Sequence, residues 1–145
     1  MTRTESPLPP TLPQYCCAII TNEKKYFLLQ LRPTTSRHAP GQLTCFGGRR
    51  EKNESMEDCL QRELTEELGW TPTFYSFACD LWKGDTFIAR FFRCHLLSTA
   101  PITTERGHVA IWTPASCLAG LPISPWHATV LRAIPKGQIR VEVPE

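Results

Sequence analysis

A chain of 145 residues, 41% hydrophobic and 21% charged, suffices for one domain with a real core and leaves no length for a second catalytic domain. Its net charge of +2 is too mild for a broad nucleic-acid or membrane surface, so any anion site must be local. The N-terminus lacks the apolar run of a signal peptide, and no stretch reaches the ~18 apolar residues of a membrane span. Seven cysteines, at positions 16, 17, 45, 59, 79, 94 and 117, are odd in number and irregular in spacing. They read as reduced, mostly buried thiols of a cytoplasmic protein, because a structural zinc site wants cysteine pairs two to four residues apart.

Residues 1–13 hold Pro7, Pro9, Pro10 and Pro13 with almost no apolar periodicity, and are expected to form a flexible lead-in to a domain spanning 14–145. The runs YCCAIIT and KYFLLQLR, separated by the turn-like NEKK, predict a strand pair, with Cys16 and Cys17 on opposite faces. A polar segment, PTTSRHAPGQ, excludes regular structure through Pro33, Pro40 and Gly41, and LTCFGG predicts a short strand ending in two glycines. A helix follows, capped by Ser55 with Asp58 in the capping-box position and closed by Gly69; Met56, Leu60, Leu64 and Leu68 form its apolar stripe. TFYSFACDLW and TFIARFFRCHLL flank a KGD turn as a hairpin, and HVAIWT is a further strand. Finally SPWHATVLRAI predicts a helix with Ser124 as N-cap, Pro125 as first helical residue, and Trp126, Val130, Leu131 and Ile134 on one face. The order suits an α/β sandwich, a mixed β-sheet between helices on both faces.

The first helix carries its charge in the wrong place. A helix C-terminus is partially negative and favours cations, yet Glu66 and Glu67 occupy the last turn and Glu63 is repelled by Glu67 at i,i+4. At about 100° per residue the three acids fall in one arc beside the Leu60 and Leu64 stripe. A solvated charged face is the plain explanation. A bound divalent cation is the other, because hard carboxylate oxygens suit Mg²⁺ or Mn²⁺ and the ion reverses every unfavourable term.

Gly48, Glu54, Arg62-Glu63-Leu64, Glu66-Glu67, Gly69 and Trp70 match the pattern G-x5-E-x7-R-E-U-x-E-E-x-G-U, with U a bulky apolar residue. The chain thereby resembles the Nudix hydrolases, and its strand order resembles that fold over roughly residues 15 to 135. The resemblance implies hydrolysis of a nucleoside diphosphate linked to a further group X, such as a (d)NTP, a nucleotide sugar or a coenzyme A type nucleotide. Carried over by position, it implies that Glu63 and Glu67 ligate metal directly, that Glu66 is a further ligand or a water-mediated partner, and that the Gly48 carbonyl is a backbone ligand. Arg62 would orient Glu63, and Glu54 would support the metals. The proton acceptor for the attacking water is a Glu of the motif, Glu66 among them, or Glu105 from outside it; an ordinary loop Glu is the competing reading of Glu105.

The segment LLQLRPTTSRHAPGQLTCFGG partly resembles the upstream motif of the coenzyme A pyrophosphatase branch: Leu28, Leu29, Arg32, Arg37, Gly41, Gly47 and Gly48 agree, while Gln30, Pro33, Cys45 and Phe46 do not. Arg32, Arg37 and His38 lie where cations could grip phosphate, or are surface groups. Phe46, standing where proline is usual, suits core packing, and so do Trp82 and Trp126, although either tryptophan could stack on a base. The expected partner is a small nucleotide, with neither polymeric nucleic acid nor membrane; dimers are common among the relatives, but no exposed apolar stripe argues for a homodimer. The opposing functional reading is a non-catalytic Nudix domain acting as a nucleotide sensor or interaction module.

Overall fold

The computed structural model describes residues 12–144. Eight strands form one mixed sheet: β1 (Tyr15–Thr21), β2 (Phe27–Leu31), β3 (Leu43–Thr44), β4 (Phe46–Arg49), β5 (Tyr75–Lys83), β6 (Thr86–His95), β7 (Val109–Thr113) and β8 (Arg140–Glu142). Helix α1 (Met56–Leu68) follows β4, and α2 (Pro125–Ala133) precedes β8. The expected lead-in over 1–11 lies outside the described residues. At its end, Leu12 packs on the core and the Pro13 carbonyl accepts from Arg50 Nε at 3.2 Å, so ordered packing begins ahead of residue 14.

Period-2 alternation builds two cores, one on each face of the sheet. Cys16, Ala18 and Ile20 of β1 join Leu28 and Phe46 beneath the α1 stripe of Met56, Leu60, Leu64 and Leu68. Cys17 and Ile19 turn the other way, with Phe27 and Leu29, to meet Val130, Leu131 and Ile134 at α2. Adjacent cysteines thus serve opposite cores, and Phe46 packs fully buried. All seven cysteines are free and only Cys117 is exposed; burial pushes the Cys45, Cys79 and Cys94 thiols up to about 12.

The expected single strand over LTCFGG is instead two. Strands β1 and β2 pair only at Thr21↔Phe27 and then diverge. The segment 43–49 enters the gap, giving Leu43 and Thr44 to β2 and residues 46–49 to β1. Cys45 sits at the crossover. The wedge is stitched to the approach to α2, where Leu43 N donates to the Pro122 carbonyl and Ser124 N to the Leu43 carbonyl, both at 2.9 Å.

Both helix starts fall where expected, with one difference. Ser55 Oγ accepts from Asp58 N at 3.0 Å, whereas Ser124 precedes α2 without a side-chain cap bond. Trp126 also departs from the expected buried face: Val130, Leu131 and Ile134 are buried, while Trp126 is 39% exposed. Strand β8 and the 3-10 turn over Ala115–Gly120 carry no strong period and were not expected.

Leu64 anchors the α1 stripe with no exposed surface. Leu64→Ala should cost about 3 kcal/mol, from lost transfer energy plus an unfilled cavity, read as a lower urea midpoint at unchanged slope.

Candidate active site

The wedge 43–49 presents its backbone to two helices. Gly47 N donates to Glu67 Oε1 at 2.8 Å, and two residues earlier Cys45 N donates to His127 Nδ1 at 3.0 Å. Gly47 lies at φ +145°, and a Cβ there would overlap the Cys16 carbonyl and the Cys17 backbone. A Cβ on Gly48 would instead occupy the place of the Glu63 carboxyl group. The two glycines therefore let a strand pass close against β1 on one side and the carboxylates of α1 on the other.

The misplaced charge of α1 is compensated within the protein by two devices. No basic residue stands in the last turn. Glu67, 6% exposed, takes the Gly47 N–H; Glu63 takes Arg62 Nη1 at 2.9 Å. Arg62 is a hub: Nε and Nη2 grip the two oxygens of Glu54 at 2.6 and 2.9 Å, Nη2 also reaches the Arg49 carbonyl at 3.1 Å, and Glu66 stands 3.5 Å from Nη1. Glu54, expected to support the metals from the loop, is gripped by this fork, which holds its carboxyl down to about 2.

Compensation is incomplete. Burial pushes Glu67 up to about 8 despite the Gly47 N–H, and Glu63 and Glu105 push it further. Burial also raises Glu63, against the pull of Arg62 and with the help of Glu66 and Glu105. Carboxyl groups that are costly to ionise gain most from a nearby cation.

Glu63, Glu67, Gly47 and Gly48 line a cavity of about 440 Å³, within the usual range of small-molecule sites. Arg32 and His38 line it too, as do Arg49, Trp126 and His127. Glu66 and Glu105 are exposed and do not line it, although the charge of each raises Glu63. Arg37 is likewise exposed and outside the lining. Arg32 is braced in its own loop, Nε donating to the His38 carbonyl at 2.8 Å and to Ser36 Oγ at 3.1 Å. Trp82 is taken up elsewhere, stacked on Phe87 at 4.5 Å under the Arg140 guanidinium.

Among the described residues no three His, Cys, Asp or Glu side chains converge into a ready-made metal cage. The donors present nevertheless fit a hard divalent cation. Two carboxylates and a strand stripped of side chains share one cavity, and the space a Cβ would fill at Gly48 is given to Glu63.

Sequence patterns missed three residues at this site. Arg49 follows the glycines as a lining cation, and strand alternation from Gly47 could have placed it. His127 and Thr44 carry no short-range signal. The buried Thr44 Oγ1 has no partner among the described residues, an omission worth about 1–3 kcal/mol against folding.

The NUDIX domain family model matches residues 11–134, so the chain belongs to the Nudix family and is a Nudix hydrolase. The fold is similar to the crystal structure of a MutT protein from Methanosarcina mazei Go1, with TM-score 0.73 and 22% identity over 87% of this chain and 96% of that one. It is similar also to DR0079 from Deinococcus radiodurans, with TM-score 0.71 and 19% identity over 92% of this chain and 90% of that one. The NUDIX domain of Shewanella oneidensis NrtR, solved with ADP ribose, aligns with TM-score 0.63 and 14% identity over 87% of this chain and 88% of that one. Comparison with curated proteins returns no match.

Two outcomes follow from the geometry. Gly48→Ala should keep the fold, since the flexible Glu63 end can give way, while displacing that carboxylate; circular dichroism should be unchanged and metal-induced thermal stabilisation lost. Because Glu54 is depressed from 4.5 to about 2, the Arg62 fork stabilises fully above about pH 4.5 and fades as pH falls toward 2. Arg62→Ala should remove about 2 kcal/mol at neutral pH and flatten the acid limb of a melting-temperature profile.

Proposed function

We propose that this protein hydrolyses the phosphoric anhydride of a nucleoside diphosphate linked to a further group, using Mg²⁺ or Mn²⁺ held by Glu63, Glu67 and the Gly48 carbonyl, with Glu66 as an outer ligand. The observation that carries this reading is the pairing of two costly carboxylates with a side-chain-free strand at one cavity. When bound, the metal neutralises phosphate charge and polarises the anhydride. The remaining work falls to the chain. Arg62 holds Glu63 in register, the Gly47 N–H holds Glu67, and Arg32 and Arg49 offer cations to phosphate oxygens at the same cavity. Acceptance of the proton from the attacking water falls to Glu66 or Glu105, whose charges both reach Glu63.

Coenzyme A is the less supported choice of X, because the match to that branch is partial and Arg37, one of the residues that agree with it, stands outside the cavity lining. The sensor reading is the less supported function, because every acid of the motif is retained. The ADP ribose bound to the NrtR domain supports a free nucleotide as ligand, and the net charge of +2 supports it over polymeric nucleic acid. No helix of the described residues is long and apolar enough to cross a membrane, and seven free cysteines suit the cytoplasm.

The test is a panel of nucleoside triphosphates, nucleotide sugars and coenzyme A with Mg²⁺ or Mn²⁺, assayed for phosphate, pyrophosphate and nucleotide products. Metal-dependent release of a nucleotide is expected; no turnover of any member would sink the hydrolase reading. Glu67→Gln should abolish turnover while leaving the metal-free protein at least as stable, because it removes a buried carboxyl that is costly to ionise. Loss of turnover in Glu105→Gln alone identifies Glu105 as the proton acceptor, and loss in Glu66→Gln alone, with metal-induced thermal stabilisation unchanged, identifies Glu66.

A further inference from the structure

Part of the cavity is not accounted for by phosphate chemistry. Leu81, Ile88 and Phe91 form an apolar wall, Trp126 stands half-exposed beside it, and two polar groups interrupt it: the Thr44 hydroxyl and His127. Glu67 and His127 are both anchored on the wedge, at Gly47 and Cys45, two residues or about 7 Å apart along a strand. One end of the cavity is therefore acidic and the other is apolar with isolated hydrogen-bonding groups.

The state of His127 is set by its anchor. Nδ1 accepts the Cys45 N–H, so in the neutral ring the proton resides on Nε2. Burial, aided by the charge of Arg32, pushes the imidazole down to about 4, and the edge of Phe91 packs on it at 5.7 Å. At neutral pH the ring is thus a fixed donor. Thr44 is 5% exposed, lines the same cavity, and its Oγ1 has no partner among the described residues. A buried hydroxyl without a partner among the described residues and a donor-only imidazole, both lining one cavity with an apolar wall, have the form of a site for a planar polar ligand.

We infer that His127 and Thr44 select the nucleobase of the substrate by its carbonyl edge, the His127 Nε2–H donating to a ring carbonyl oxygen and the Thr44 hydroxyl bonding a neighbouring ring atom. This rests on the nucleotide reading of the site. Guanine and uracil present a carbonyl oxygen where adenine and cytosine present an amino group. An amino group set against His127 would place donor against donor. Trp126 and Phe91 supply aromatic surface for the ring.

The experiment measures binding of GMP, UMP, AMP and CMP without metal by calorimetry, and separately kcat/KM for the four triphosphates with Mg²⁺. Carbonyl-bearing bases should be favoured by about tenfold or more in both, a preference that His127→Phe reduces to within about threefold and His127→Gln, which keeps a donor, partly restores. Thr44→Val keeps volume and removes the orphan, so it should raise the melting temperature of the free protein by about 3 °C while weakening GMP binding and raising KM more than it lowers kcat. Equal binding of all four monophosphates, or a Thr44→Val protein that binds GMP as tightly as wild type, overturns the inference. A selective binder that hydrolyses no member of the nucleotide panel leaves this base reading standing and overturns the hydrolase reading instead.

Discussion

The hydrogen bond from the Gly47 amide to the Glu67 carboxylate ties the sheet to the acidic end of α1, and most of the site depends on it. A carboxylate buried at a helix C-terminus is opposed by the dipole, by its neighbours and by lost hydration. One backbone donor can approach it only if the strand lies close, and the strand can lie close only where Gly47 and Gly48 have no side chains. The residual cost is what suits the pair Glu63 and Glu67 to a cation: a fully satisfied cluster would have less to gain from one.

Arg62 complements this arrangement from the other side. Its fork on Glu54 fixes the loop before α1, and its third arm fixes Glu63. The loop acid is thus a structural partner of the arginine, and the acid of the helix is the one left facing the cavity. The same five-donor geometry that grips two carboxylates with defined angles explains why lysine would serve poorly here.

The helix and its chemistry were legible in sequence because they are local. The i,i+4 stripe, the Ser55 cap, Gly69 and the spacing from Gly48 to Trp70 lie within one short segment, and each has its own physical signal. The hairpin of β5 and β6 was legible for the same reason, through alternation around a turn. What escaped depends on contacts between distant parts of the chain. LTCFGG looks continuous, and only the divergence of β1 from β2 divides it at Cys45. Arg32 and Arg37 look equivalent in one polar loop, and only the loop's internal hydrogen bonds turn the first toward the cavity. His127 lies 82 residues from its partner Cys45, a separation that no local pattern can span.

The stitching of the wedge to residues 122–127 also bears on the order in which the molecule becomes competent. The acids of α1, the arginine hub and both glycines belong to the first half of the chain, whereas β6, paired along β1, belongs to the second. The α2 side of the cavity comes from residues made later, joined by Leu43 to Pro122, by Ser124 to Leu43 and by Cys45 to His127. A domain folds as a unit, so neither the charged platform nor the pocket is complete until residues 122–127 are in place. Closure of the pocket coincides with completion of the domain, so a chain ending before residue 122 has no shaped cavity around its carboxylates.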